Sequence, residues 1–232
     1  MLYFDESGYT GPDLTNSNQP YFSLASIRIT NEEIAQIKKD VGYSKWGKEL
    51  HFRSMYKSYR GQEMLDKIFK DNGYNNKCDV LDCACGIGTQ AIGLAALGYN
   101  ITASDISEGA LAEAKTRALK AKVNIHFRTA DFRFLSQAFS EKFDIVIAMD
   151  NALPHMLTGE DLCRAVKSIA DQTKENGIFV GSIRDYDALL QDKPPYSPPY
   201  IHKTDKGKRV SFQTWIWNGD RYKLTQYIIY DE

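Results

Sequence analysis

The chain has 232 residues, enough for one large domain or two small ones with a proper core. Apolar residues make up 43% and charged residues 25%, with a net charge of −1, an ordinary globular composition that excludes a broad electrostatic attraction to nucleic acid or anionic membrane. No apolar run approaches the ~20 residues of a membrane span, and the opening "MLYFDESGYTG" has neither the basic nor the apolar region of a signal peptide, so a cytoplasmic chain is expected.

The first quarter reads as "LYFDESG", a turn-rich "YTGPDLTNSNQP", and "YFSLASIRIT". Aromatic and β-branched residues flanking Gly, Pro, Asn and Ser predict a β-hairpin with a long connection. "NEEIAQIKKDV" follows as a helix, with Ile34, Ile37 and Val41 on one face and Asn31 as cap. "YRGQEMLDKIFKDNG" predicts a second amphipathic helix, with Gly73 past its end.

From residue 78 strands and helices alternate. "CDVLDCA" is a nearly continuous apolar run, as expected of a parallel strand buried on both faces. "TQAIGLAALG" is a helix stopped by Gly98, "NITASD" a second strand, and "SEGALAEAKTRALKA" a helix capped by Ser107. "NIHFRTAD", the short helix "FRFLSQAFS", "KFDIVIAMDN", the helix "GEDLCRAVKSIADQT" and the strand "GIFVGSIRD" continue the series. That order implies right-handed crossovers and a Rossmann-like, doubly wound parallel α/β sheet. After the Pro-rich "PPYSPPY", the segments "KRVSFQTWIW" and "RYKLTQYIIY" around "NGD" predict a C-terminal antiparallel hairpin.

A Gly-rich turn after the first strand of such a sheet faces the carboxyl ends of the strands, where ligands bind. In "VLDCACGIGTQ", Gly86 and Gly88 let a backbone approach a ligand closely. "GIGTQA" also fits the dinucleotide pattern, so the glycines alone leave NAD open. Asp82 precedes Gly86 inside the strand end, where a dinucleotide site normally has apolar residues or Gly. Asp105 ends the second strand, where an acid accepts both hydroxyls of a ribose, and Asp131 ends the third. Cys78, Cys83, Cys85 and Cys163 form no ligand-spaced set, so buried reduced thiols are expected and no metal.

"VLDCACGIGTQ", "ASD", "TAD" and "IVIAMDNALPHM" resemble, in order and spacing, the successive motifs of class I S-adenosylmethionine-dependent methyltransferases. The resemblance spans residues 55–232, read as the methyltransferase domain, and implies S-adenosylmethionine as cofactor and a small-molecule methyl acceptor. It implies Gly86 and Gly88 around the methionine part, Asp82 at its amino group, Asp105 with Ile106 at the ribose, and Asp131 with Phe132 at the adenine. "DNALPHM" followed by "SIRDYDALL" is similar to the glycine and sarcosine N-methyltransferase group. That likeness adds Asn151 to the cofactor site and gives His155, Arg184 and Tyr186 to the acceptor, an amine of an amino acid, with no catalytic base named. Read without the family, Tyr186, Tyr196, Tyr200, Tyr222 and Tyr227 are packing residues of the hairpin.

Residues 1–54 resemble something else. "MLYFDESGYTG" and "KELHF" look like the opening of a bacterial RNase H-like family with a DESG signature, in which Asp5 and Glu49 would hold a divalent metal. The further acids such a nuclease needs do not follow, so no nuclease activity is expected from this segment. The second reading is such a nuclease fragment fused to a non-catalytic adenosyl-ligand-binding module. Methyltransferases of this kind usually carry one more helix and two strands after the hairpin, so a chain truncated at its C-terminus is expected. Its exposed sheet edge would be covered by the N-terminal strands or, in a homo-oligomer, by a second subunit.

Overall fold

The computed structural model describes residues 61–156, 158–183, 186–197, 199–204, 207–219 and 221–231. The predicted N-terminal hairpin, the helix after it and the boundary at residue 54 lie outside the described residues. The first described element is helix α1 (Gly61–Asp71), followed by β1 (Asp79–Asp82), α2 (Thr89–Ala96), β2 (Asn100–Asp105), α3 (Glu108–Ala121) and β3 (His126–Thr129). A short 3-10 segment (Phe132–Gln137), β4 (Phe143–Ala148), a 3-10 turn (Leu153–His155), α4 (Gly159–Gln172) and β5 (Thr173–Gly181) complete the first sheet and its helices.

The five strands run parallel in the order β3-β2-β1-β4-β5. Side-chain alternation along the central strands divides the core between the two faces. Val80, Ile145 and Ile147 look one way, into a cluster with Leu65, Phe69, Leu94 and Leu111 from α1, α2 and α3. Leu81, Cys83, Val146 and Ala148 look the other way, onto Leu135, Phe139 and Ile169 from the 3-10 segment and α4. Both faces are dry, so the central strands read as unbroken apolar runs. The doubly wound expectation is borne out.

Helix ends fall where the residues predict. Ser107 accepts from the Ala110 amide and caps α3, and Thr158 caps α4 through the Asp161 amide. At the amino edge of the sheet, Lys174 Nζ lies 3.0 Å from Asp144 and 3.2 Å from Asp79, a half-exposed clasp across β1, β4 and β5.

Helix α1 is built into this domain. Phe69 and Leu65 are fully buried, and Phe69 meets Tyr99 edge to face at 5.3 Å. The Tyr99 hydroxyl donates to Asp66 at 2.8 Å.

The C-terminal part differs from the predicted hairpin in two ways. "YDALLQD" forms helix α5 (Tyr186–Asp192), and β6 (Tyr200–Thr204) adds a third strand beside β7 (Gly207–Asn218) and β8 (Arg221–Asp231), in the order β6-β7-β8. The Pro-rich loop hid both, because its turn residues mask a short strand whose pairing is supplied by β7. Tyr186, Trp215, Tyr222 and Leu224 form a small separate core under this sheet.

Phe69→Ala should lower the unfolding free energy by about 3–5 kcal/mol, the range for emptying a buried aromatic site. Urea denaturation checks it, and a loss below about 1 kcal/mol would show α1 to be dispensable to the sheet.

Candidate functional site: the carboxyl edge of the parallel sheet

β1 lies between β2 and β4, pairing Asp82 with Ala103 on one side and with Ile147 on the other. The backbone keeps these partners past the strand end. The Cys83 amide donates to Ile147 O at 3.0 Å, and the Cys85 amide to Ser104 O at 2.9 Å. The chain then turns through Gly86 (φ +52°) and Gly88 (φ +79°) into α2, which starts without a side-chain cap.

The two glycines serve different ends. A Cβ on Gly86 would meet nothing within 4 Å, so its face opens onto free space. A Cβ on Gly88 would press on Ala114 at 3.1 Å and Ile92 at 3.2 Å, so Gly88 permits the close packing of α3 on the loop. Arg117 of α3 braces the same loop by donating to Ile87 O at 3.0 Å.

Asp105 ties the loop to the second strand. One oxygen accepts from the Gly86 amide at 2.7 Å and the other from the Ser107 amide at 2.9 Å, which leaves each a further lone pair. Its neighbour Ile106 is 67% exposed, an apolar side chain held out beside the carboxylate. At the next strand end Asp131 is gripped by Arg133 through both carboxylate oxygens, and Arg133 also reaches Asp161. Burial alone would raise the Asp131 carboxyl, but the bonds from Arg133 hold it below the usual range. Phe132 is half-buried and packs on the second core.

Asp82 is the anomaly. It is 1% exposed, and neither carboxylate oxygen has a hydrogen-bond partner. Burial pushes its pKa up to about 8, and the charges of Asp150 and Asp105 push in the same direction. The Ala84 and Ala91 amides offset part of that rise without reaching hydrogen-bond geometry. An unpaired buried carboxylate is costly unless a cation completes it.

The residues predicted for the acceptor side fare differently. Asn151 is buried at φ +69°, and its Nδ2 donates to the Tyr186 hydroxyl at 3.1 Å. The pairing joins the turn after β4 to Tyr186 of α5. Tyr186 is 3% exposed, with its ring among Trp215, Tyr222 and Leu224, as the packing reading has it. His155 is half-buried in the turn after β4, its amide donating to Ala152 O at 3.1 Å. Arg184 lies outside the described residues.

Asp150, Gln90 and Ser182 were missed by the sequence reading as members of this crevice. Asp150 follows β4 at φ +52°, has Gln90 of α2 near its carboxylate, and is fixed by Ser182 Oγ, which accepts from its amide at 2.8 Å. The signal was present: β1, β2 and β4 each end in or just before an acid, and β3 does the same with Asp131.

Residues 80–177 match the family model described as a methyltransferase domain. The chain is 31% identical over 125 residues to the glycine/sarcosine N-methyltransferase of Parasynechococcus marenigrum (strain WH8102), covering 54% of this chain and 43% of that one. A solved S-adenosylmethionine-dependent methyltransferase from Clostridium acetobutylicum superposes with a TM-score of 0.54 at 19% identity, covering 85% of this chain and 79% of that one. The SAM-bound amino pentose methyltransferase CalS10 of Micromonospora echinaspora superposes at 0.55 with 13% identity, covering 87% and 81%. These neighbours share the Rossmann-like fold of this chain. The chain spans about half the length of the curated relatives it matches. S-adenosylmethionine is named for both of these solved neighbours. The residues present fit that group: an orphaned buried carboxylate, an open glycine and an acid at the end of β2 stand at one edge. Among the described residues no cluster of His, Cys, Asp and Glu could hold a metal ion, and no helix is long and apolar enough to cross a membrane.

The buried carboxyl of Asp82 gives a pH test on the ligand-free chain. The folded state keeps its proton up to about pH 8, whereas the unfolded chain releases it near the ordinary value of 3.8. Folding stability should therefore fall as pH rises between those limits, by at most about 1.4 kcal/mol per unit, and level off above. Denaturant titrations of the wild type and Asp82→Asn from pH 4.5 to pH 8.5 check this. The variant should lack that slope, and parallel curves would contradict it.

Proposed function

We propose that this chain is an S-adenosylmethionine-dependent methyltransferase acting on a small-molecule amine, of which the amine of an amino acid is the best-supported member. The observation that carries the reading is Asp82, a buried carboxylate with no partner, beside a glycine whose face is open. Its natural complement is a ligand cation, and the ammonium of a methionine part supplies one.

In this reading Asp82 holds that ammonium, the Gly86 backbone allows close approach, and Asp105 accepts from the ribose hydroxyls. Ile106, Asp131 and Phe132 flank the adenine, and the Arg133 clamp keeps the Asp131 carboxylate ionised and in place. Gly88 contributes by packing, and Asn151 by fixing the turn after β4. The bound cofactor supplies an already activated methyl group, so the protein has mainly to align the acceptor and exclude water. His155 and Arg184 remain the candidates on the acceptor side, with Tyr186 acting through Asn151. The relative named as a glycine/sarcosine N-methyltransferase supports an amino-acid acceptor.

Calorimetry with S-adenosylhomocysteine tests the cofactor site. Asp105→Ala should weaken binding by about 1.5–3 kcal/mol, the scale of hydrogen bonds to a charged group. Gly86→Ala should weaken it while costing the fold only about 1 kcal/mol, since its Cβ enters open space at a left-handed φ. Unchanged affinity in both variants would dismiss the site.

The acceptor reading has its own check. Arg184→Lys should raise the KM for glycine with little change in S-adenosylhomocysteine affinity, because a bidentate grip on a carboxylate is lost. Equal turnover of glycine and glycinamide by the wild type would remove the carboxylate clamp.

A further inference from the structure

Asp150 has no assigned part in the site, yet its placement is unusual. It sits two residues past the end of β4, the strand paired with β1, and so beside the strand end that carries Asp82. It is exposed to solvent, yet surrounding protein raises its carboxyl above the ordinary range, as expected for a group in the mouth of a crevice rather than on a convex surface. Its left-handed backbone is held from β5, since Ser182 Oγ accepts its amide and Ser182 O accepts the Asn151 amide at 3.2 Å. Such a conformation is strained for a non-glycine residue and persists only where neighbours impose it.

Asp150 therefore shares one end of the crevice with Asp105 and Asp82, and Asp82, the deepest of the three, is buried without a partner. A single ammonium, bound at Asp82, neutralises only one of them. Among the described residues, the titratable side chains that neighbouring elements bring to this end are Asp82 from β1, Asp105 from β2 and His155 from the turn after β4, and Arg184, two residues past Ser182, lies outside them. Asp82 and Asp105 are acids and lend Asp150 no positive charge.

We propose that Asp150 receives the protonated amine of the methyl acceptor and takes its proton, an inference that rests on the methyltransferase reading above. An amine is a nucleophile only through its lone pair, and near neutral pH most aliphatic amines carry a proton there. The Asp150 carboxylate accepts a hydrogen bond from the ammonium and then the proton itself, leaving the lone pair on nitrogen. Being exposed, the carboxylic acid so formed passes the proton to water. Gln90 near the carboxylate favours its ionised form and offsets part of the rise that burial causes. The site thus selects amines that arrive as cations over alcohols and thiols.

Asp150→Asn tests this, since Asn keeps the shape and tolerates the left-handed backbone. Calorimetry first measures S-adenosylhomocysteine alone, and affinity should stay within about threefold of wild type. Glycine, sarcosine and glycinamide are then titrated into the S-adenosylhomocysteine complex, and the variant should bind the amine that wild type prefers at least about tenfold more weakly. Wild-type kcat/KM should fall at acid pH as the Asp150 carboxylate is protonated, and the variant should lose that limb. Equal amine affinity and equal pH profiles in the two proteins would overturn the proposal. A joint loss of S-adenosylhomocysteine and amine affinity would also overturn it, by giving Asp150 to the cofactor. So would a wild type that binds S-adenosylhomocysteine and none of the three amines. A wild type that does not bind S-adenosylhomocysteine would instead remove the underlying methyltransferase reading.

Discussion

The parallel pairing of β1 with both β2 and β4 is the constraint from which the rest of the site hangs. It extends one step beyond the strand, through the Cys83 amide to Ile147 and the Cys85 amide to Ser104. The loop is thereby fixed before it turns, and Gly86 arrives with its amide on Asp105. Had β1 been an edge strand, the loop would have had one anchor and Asp82 one dry wall.

The same burial that fixes the loop creates its electrostatic tension. Asp82 is shut from water by the β1–α2 turn, with Asp105 and Asp150 as like-charged neighbours. Most buried carboxyl groups are paired, and this one is not. Asp131 shows the opposite choice. Its partner Arg133 comes from the chain itself, so its charge is satisfied before any ligand arrives. Thus the crevice holds one acid without a protein partner and one already locked in place.

The C-terminal sheet is joined to this edge by polar contacts rather than by a shared core. Asn151 donates to the Tyr186 hydroxyl, while the Tyr186 ring lies with Trp215 and Tyr222 in the smaller cluster. Within that sheet Trp215 Nε1 donates to Gln213, and Gln213 donates to Gln226 across the β7–β8 pair. Buried aromatics and a satisfied amide ladder make the sheet rigid, so Tyr186 can hold Asn151 in its left-handed turn.

The amino-acid sequence alone determined the alternation of strands and helices, the Ser107 cap and the Gly-rich turn, because each depends on local pattern or propensity. It also marked Asp82, Asp105 and Asp131, since an acid ending an apolar run stands out without knowledge of the fold. It did not separate Gly86 from Gly88, because only the packing of Ala114 and Ile92 distinguishes an open glycine from a crowded one. Nor did it reveal β6, α5, or the turning of Asn151 onto Tyr186, which depend on pairing with β7 or on a partner 35 residues away. Asp150 carried the same local signal as the other acids, but its meaning came from Ser182, Gln90 and Asp82, three segments that meet only when the sheet closes. Local chemistry is written residue by residue, while which charge goes unpaired is decided by what tertiary packing places beside it.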